Sequence, residues 1–146
     1  MTAIVFRYAD RSLQLPGKTF LKSFIGTIFS KEKKQLASIT YVFCSDDYLL
    51  QMNRDFLHHD YYTDILTFRL SEPGYPIVAE VYISLDRVRE NACTHDVTYK
   101  QEALRVIFHG ALHLCGYADK KKSEITLMRE KEEQYLRLFE KKQANV

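Results

Sequence analysis

The sequence predicts an α/β fold of the α+β type, with a mixed sheet of about four strands packed by about five helices. The chain has 146 residues, a length that suits one domain with one hydrophobic core. Short segments alternate apolar and polar residues, whereas longer segments repeat apolar residues three or four positions apart. The two kinds of segment are intermixed, with no repeat or linker between them. We therefore expect residues 1–146 to form a single domain in which helices cover a sheet.

Four segments have the alternation of β-strands, and their sequences are TAIVFRYA (2–9), ASITYVFC (37–44), DILTFRL (64–70) and IVAEVYIS (77–84). In the third strand, Leu66 and Phe68 should lie on the face opposite to Thr67 and Arg69. In the fourth strand, the predicted apolar face consists of Ile77, Ala79, Val81 and Ile83, and the other face carries Glu80, Tyr82 and Ser84.

Five segments have helical features, and they span residues 18–34, 46–57, 86–93, 98–115 and 123–142. Ser45 should cap the second helix, and Thr98 with Gln101 should form a capping box at the start of the fourth. Gly116 should end the fourth helix. The last helix is charged and amphipathic, and its predicted core-facing residues are Ile125, Met128, Tyr135 and Phe139.

The composition excludes several classes of protein. A net charge of +2 is too small to indicate a nucleic-acid-binding protein by itself, although residues 120–122 form a local basic patch. No stretch is long and apolar enough to cross a bilayer, and the first residues lack the features of a signal peptide. We therefore expect a cytoplasmic protein without a membrane contact. An odd number of cysteines without a CxxC pair argues against a disulfide scaffold, and Cys44 and Cys115 should be buried.

The segment FHGALHLCGYADKKKSE, residues 108–124, carries the strongest chemical signal. His109 and His113 are four residues apart, so on a helix they present two imidazoles to one point. Gly116 allows the chain to turn back, and Asp119 can then reach the same point. Two histidines and one carboxylate leave a fourth position open, which is typical of a catalytic rather than a structural zinc site.

A pair of buried histidines that binds no metal is the alternative hypothesis. The helix is apolar on nearly all sides, and buried imidazoles need polar partners, which a shared metal would supply. Gly110 occupies the position at which zinc proteases carry a glutamate base, so protease chemistry of that kind is not expected. His58 and His59 are adjacent, point in different directions on most backbones, and should be exposed loop residues.

Two motifs carry a resemblance to a known family. HGALHLCGYAD resembles the H-G-x-L-H-L-x-G-Y-D-H signature of the YbeY family of metal-dependent endoribonucleases, also called the rRNA maturation factor family. MNRDFLHHDYYTDILTF resembles its upstream element, an asparagine segment followed by a T-D-[VI]-L-[ST]-F strand. The resemblance covers nearly the whole chain and implies that His109 and His113 are metal ligands. Asp119 stands where the family has its third histidine, and Leu57 stands where it often has an arginine.

The resemblance implies a single-strand-specific endoribonuclease that uses one transition metal, most simply Zn²⁺. It also implies 16S rRNA 3′-end maturation and ribosome quality control, with single-stranded or ribosomal RNA, the small ribosomal subunit and assembly factors as partners. Arg69 or Arg105 could replace the missing arginine, although a salt bridge to a nearby acid is an equal alternative for either. Lys120 and Lys121 could contact RNA phosphates.

Further expectations concern the groove and the rival functions. Thr67, Arg69, Glu80 and Tyr82 could line a groove for a single strand, and Asp64 could either orient a ligand or be structural. One alternative function is a ribosome-assembly or RNA-binding factor with a structural metal. Another is a metallohydrolase acting on a different substrate, such as a peptide or a small ester, and Gly110 counts against it.

Overall fold

A four-stranded mixed sheet forms the centre of the molecule. We describe residues 3–145 in a computed structural model, so Thr2 of the predicted first strand lies outside the described residues. The strands are β1 (Ala3–Tyr8), β2 (Leu36–Cys44), β3 (Ile65–Arg69) and β4 (Ile77–Ser84). Their order is β1-β2-β4-β3, in which the first three are parallel and β3 runs antiparallel to β4. The predicted mixed sheet is confirmed.

Five helices surround this sheet within the described range. They are α1 (Lys18–Lys31), α2 (Asp46–Leu57), α3 (Leu85–Thr94), α4 (Tyr99–Leu114) and α5 (Lys122–Ala144). Ser45 caps α2 by accepting a hydrogen bond from the backbone N–H of Tyr48. Both halves of the predicted capping box, Thr98 and Gln101, are present at the start of α4. None of the described helices has the combination of length and apolar composition that a bilayer span requires.

Helix α4 is the central helix and is buried along most of its length. Its apolar residues pack with the apolar face of β4 and with α1 and α5 into one core. Gly110 lies close against side chains of β3 and β4. A Cβ atom at this position would lie 3.0 Å from Ile65 Cδ1 and 3.1 Å from Val81 Cγ1. Only a residue without a side chain fits at this spacing without displacing a neighbour.

Helix α5 packs on α4, but its buried stripe differs from the prediction. Met128, Tyr135 and Phe139 are buried as predicted, whereas Ile125 is exposed. Ile125 lies in the first turn of α5, at the edge of a small cavity beside the end of α4. The remaining position of the stripe belongs to Glu132, which is only 1% exposed. A charged residue therefore lies inside the α4–α5 interface.

The two faces of the β3–β4 pair have different surroundings. Thr67 lies opposite Val81 and Arg69 opposite Ala79, so these residues share the face covered by α4. Glu80 and Tyr82 lie opposite Phe68 and Leu66 on the other face, beside α2. The predicted groove of Thr67, Arg69, Glu80 and Tyr82 is therefore wrong, because its members lie on opposite faces of the sheet.

The described cysteines are free thiols. Cys44 and Cys115 are buried, as predicted, and Cys93 is exposed. Burial raises the pKa of the Cys44 and Cys115 thiols to about 12. At neutral pH both are protonated, and neither offers the thiolate that a metal would require.

Candidate active site

The C-terminal half of α4 and the loop after it form a cluster of three metal-ligating side chains. His109 and His113 are one helical turn apart, with ring centroids separated by 4.6 Å. Gly116 has φ 110°, a conformation that side chains rarely adopt, and it reverses the chain after the helix. Asp119 then returns to the histidines, and the donor atoms of all three residues lie within 4.8 Å of one another.

The two distances from Asp119 to the histidines fit a tetrahedral metal. Oδ2 of Asp119 lies 3.2 Å from Nε2 of His109 and 3.2 Å from Nε2 of His113. In a tetrahedral zinc site with bonds of about 2.0–2.1 Å, neighbouring ligand atoms are about 3.3 Å apart. The three side chains are partly exposed, so solvent and substrate can approach the cluster. The donor set fits a first-row transition metal with an open position.

The hydrogen bonds of the two imidazoles determine which nitrogen faces the cluster. His113 Nδ1 lies 2.8 Å from the carbonyl oxygen of Tyr117, which can only accept, so this nitrogen donates. His109 Nδ1 lies 2.6 Å from Oε2 of Glu132 and donates to that carboxylate. When each ring is neutral, its Nε2 therefore has a lone pair directed at the shared point. Such fixing of the second nitrogen is typical of histidine ligands to metals.

Glu132 lies at the centre of a buried network of charges. One of its oxygens accepts from His109, and the other accepts from Arg105 at 3.1 Å and from Arg129 at 3.2 Å. Burial by itself would raise the pKa of Glu132, but the hydrogen bond from His109 and the charge of Arg105 outweigh it and lower the pKa. Glu132 is therefore ionised at neutral pH, as an acceptor for His109 requires.

Arg105 is held between two buried carboxylates. Its guanidinium donates to both oxygens of Glu102, which is 2% exposed, and to Glu132. The structure therefore shows the salt-bridge alternative for Arg105, and its charge is compensated inside the protein. Arg105 also lines the cleft, but its compensated charge argues against the prediction that it contacts RNA.

Sequence reasoning missed Glu132, although one signal was present. Met128 and Tyr135 were assigned to a buried stripe, and Glu132 lies on that stripe at helical spacing from both. An acid at a core-facing position needs a buried partner. His109 on the neighbouring helix was an available partner.

The metal-ligating cluster lies in an open cleft of about 870 Å³. One wall is formed by β3 and by the loop between α2 and β3, and it includes His59, Tyr61 and Asp64. The other side includes Lys120 and Arg129. Asp64 lies in the cleft wall, and its backbone carbonyl accepts a hydrogen bond from Ser84.

The remaining predicted RNA contacts occupy different places. Arg69 lines the cleft and donates to the carbonyl oxygens of Glu72 and Tyr75, which are neutral groups, so its charge stays uncompensated by these contacts. Lys120 also lines the cleft. Lys121 is exposed at the start of α5, and its backbone N–H bonds to Glu124. His58 and His59 are exposed, as predicted.

Comparisons with known proteins show which family the chain belongs to. The family model described as Endoribonuclease YbeY matches residues 9–140. The endoribonuclease YbeY of Cytophaga hutchinsonii is 48% identical over 92% of this chain and 94% of its own length. That of Flavobacterium psychrophilum is 40% identical over 96% of this chain and 99% of its own length.

A solved structure has a similar fold. The solution structure of TM1509 from Thermotoga maritima is 26% identical, with a TM-score of 0.61 over 99% of this chain and 93% of that one. The family match covers the histidine motif and all the elements that surround it. The chain therefore belongs to the endoribonuclease YbeY family, a family of hydrolases that cleave RNA.

Proposed function

We propose that this protein is a single-strand-specific, metal-dependent endoribonuclease that acts on ribosomal RNA, in 16S 3′-end maturation and ribosome quality control. One transition metal, most simply Zn²⁺, would be held by His109, His113 and Asp119. The observation that carries this proposal is the convergence of three donor atoms, two of them 3.2 Å from the third, in an open cleft with cationic side chains. Cytoplasmic location and contacts with the small ribosomal subunit and assembly factors belong to the same proposal.

The chain's own residues prepare the site for a phosphodiester. When bound, the metal supplies Lewis-acid polarisation of a phosphate oxygen and lowers the pKa of a water. Glu132 and the Tyr117 carbonyl hold the two imidazoles so that each Nε2 faces inward. Asp119 adds an anionic ligand where the family signature has a neutral histidine, which lowers the net charge of the site by about one unit.

Cationic side chains around the cleft can compensate for that loss of charge. Lys120 and Arg129 lie on the side of the cleft formed by the α4–α5 loop and α5, and Arg69 lies at the end of β3. One guanidinium nitrogen of Arg129 donates to Glu132, and the side chain of Arg129 is 55% exposed. We therefore assign to Arg129 a phosphate contact of the kind that the arginine absent at Leu57 would make. Lys121 would contribute at longer range as an exposed charge.

The fold also explains why a protease-like mechanism is not available. The residue after the first histidine, Gly110, faces the side chains of Ile65 and Val81 and does not itself line the cleft. A base at this position would be directed into the sheet.

Cleavage of RNA by matched variants tests the proposal. Wild-type protein, His113→Ala and the control variant His95→Ala are compared on single-stranded and duplex fragments of ribosomal RNA. His95 is exposed at the end of α3, and it does not line the cleft. We expect wild type and His95→Ala to cleave single-stranded RNA and His113→Ala to lose at least about a hundredfold in rate. Equal cleavage by all three proteins would show that the activity is a contaminant. Binding without cleavage by wild type would favour the assembly-factor alternative.

A further inference from the structure

Two aromatic side chains in the wall of the cleft form a stacked pair. The rings of His59 and Tyr61 have centroids 5.2 Å apart and planes inclined by only 21°. The Tyr61 hydroxyl lies 2.9 Å from His59 Nδ1, which ties the edges of the two rings together. Tyr61 is 56% exposed, although it is large and aromatic. The pair thus presents a flat aromatic surface to solvent.

The backbone around this pair is held by one buried residue. Asn53 is 0% exposed, and its side-chain nitrogen donates to the carbonyl of Tyr61 at 2.9 Å. The main-chain carbonyl of Asn53 accepts a hydrogen bond from the N–H of His59 at 3.1 Å. His58 has φ 56°, and this left-handed turn ends α2 so that the chain can enter the cleft wall. Because the backbones of His59 and Tyr61 are both hydrogen-bonded to one buried residue, the aromatic surface is largely preorganised.

The surroundings indicate what this surface binds. His59 and Tyr61 line the same cleft as His109, His113 and Asp119. The cations Arg69, Lys120 and Arg129 line that cleft as well. An anionic ligand with flat, exposed rings matches both features, and single-stranded RNA combines phosphates with unpaired bases. A folded protein partner would not match a concave site that contains the metal-ligating cluster.

We propose that Tyr61, supported by His59, is a stacking platform for one unpaired base of the RNA strand, beside the phosphate that the metal centre holds. This inference rests on the proposed function, since it assigns a base subsite to the same cleft. It also supplies a reason for single-strand specificity, because a base inside a duplex keeps its own neighbours and cannot lie on the tyrosine. The platform is insensitive to sequence, since every base has a flat face.

The neighbouring tyrosine provides a matched control. Tyr62 is also exposed, but its hydroxyl donates to Asp47 Oδ1 at 3.3 Å and its ring lies 5.5 Å from the Arg87 guanidinium. Tyr62 does not line the cleft, and its contacts are with residues at the N-termini of α2 and α3. Tyr62→Ala should therefore show the general effects of losing an exposed tyrosine, and its affinity for RNA should be unchanged.

The test measures binding of a fluorescent single-stranded RNA oligonucleotide by anisotropy, with wild type, Tyr61→Ala, Tyr61→Phe and Tyr62→Ala. We expect Tyr61→Ala to weaken binding about tenfold or more, as loss of one base–aromatic stack does. Tyr61→Phe keeps the ring and should stay within about twofold of wild type, as should Tyr62→Ala. An abasic nucleotide is then placed at successive positions of the strand. In wild type, loss of the base at one position should weaken binding more than loss at the others. In Tyr61→Ala, the affinity should no longer depend on that position. Circular dichroism and urea unfolding verify that each variant is folded.

The outcomes separate this inference from the proposed function. If wild type cleaves RNA but Tyr61→Ala binds as tightly as wild type, the platform is wrong and the cleavage function stands. If Tyr61 matters for binding but wild type cleaves no RNA with added metal, the platform stands and the proposed cleavage falls. Equal weakening by Tyr61→Ala and Tyr62→Ala would also overturn the platform, as would an absence of RNA binding by wild type.

Discussion

Two polar clusters of this protein occupy comparable positions at the ends of regular elements. One is the metal-ligating cluster of His109, His113 and Asp119. The other, the strand-end cluster, lies at the carboxyl ends of the three parallel strands and consists of Asp10, Ser45, Asp46, Ser84 and Asp86. In open sheets with parallel strands, ligands commonly bind at the carboxyl ends of those strands. Position alone would therefore nominate the strand-end cluster as a site.

The contacts of the two clusters are opposite in kind. In the strand-end cluster, the Asp10 carboxylate accepts from the N–H and the hydroxyl of Ser45, at 2.7 and 2.6 Å. Asp86 accepts from the N–H of Asp46 and from Arg11. Asp46 accepts from the Ser84 hydroxyl at 2.6 Å and from Arg87 at 2.9 Å. The N-termini of α2 and α3 are thus capped by the protein itself.

In the metal-ligating cluster, by contrast, the carboxylate of Asp119 lies against two imidazole nitrogens that already have their protons elsewhere. When both rings are neutral, the lone pairs of the two Nε2 atoms face the carboxylate, an arrangement that a cation stabilises. The comparison shows that a polar cluster indicates a binding site when its donors and acceptors are not matched to each other. The following predictions test that distinction.

Loss of a histidine ligand should have the largest effect. In His109→Ala, the cluster keeps two of its three donors, so the purified protein should hold less than about a tenth of a metal ion per chain, against about one for wild type. Elemental analysis after incubation with zinc, nickel or copper measures this. Asp10→Asn in the strand-end cluster is the control and should keep the wild-type metal content. A wild-type protein that takes up none of these metals would remove the basis for the site.

Loss of the buried carboxylate behind His109 should have a smaller effect on the same property. Glu132→Gln keeps the shape of the side chain but removes the charge that fixes Nδ1–H of His109. We expect metal affinity to fall about 10- to 100-fold, as it does when such supporting partners are lost. Competition with a chromophoric chelator gives the affinity, and the ¹⁵N shifts of His109 report its tautomer. Unchanged affinity together with an unchanged tautomer would contradict the role of Glu132.

Loss of a cap in the strand-end cluster should affect stability and not metal binding. Ser84 is fully buried, caps α3 through Arg87 N–H and donates to Asp46. Ser84→Ala should therefore lower the free energy of unfolding by about 1–2 kcal/mol, the usual cost of a lost N-cap. Urea unfolding measures the change, and metal affinity should equal that of wild type. A change in metal affinity would show that the two clusters are coupled.

The smallest expected effect is a dependence on pH. Burial alone would raise the pKa of Asp86, but the hydrogen bond from the Asp46 N–H and the charge of Arg11 lower it. A depressed pKa in the folded state contributes stability above the unfolded value of about 4, and this contribution is lost as pH falls through the folded-state pKa. The stability difference between wild type and Asp86→Asn should thus be constant above about pH 5 and shrink below about pH 4. Urea unfolding measured from above about pH 5 to below about pH 4 checks the trend, and a difference that grows on acidification would contradict it.

Local signals in the sequence were sufficient to predict the elements and the metal-ligating cluster. Thr98 and Gln101 mark the start of α4, and Gly116 marks its end, because capping depends on residues a few positions apart. The convergence of His109, His113 and Asp119 follows from the helical period and one turn, so it was predictable as well. Their role as ligands is still a prediction.

Features that depend on how distant segments pack were not predictable in the same way. The predicted alternation within β3 and within β4 is right, but the predicted groove is wrong. Which face of β3 lies beside which face of β4 depends on the register of the two strands, as in the pairing of Thr67 with Val81. Arg105 and Glu132 are brought together by the contact of α4 with α5, which no local pattern encodes. The stacked pair of His59 and Tyr61 depends on Asn53, which is buried in another element.

The glycine that follows the first histidine has a mechanical consequence. Ile65 contacts the Gly110 position through its Cδ1 atom and is itself part of the cleft wall. A methyl group added at residue 110 would therefore displace Ile65, and with it part of the cleft wall, without changing any residue of the metal-ligating cluster. The shape of the cleft therefore depends on a packing distance behind it, between α4 at Gly110 and β3 at Ile65.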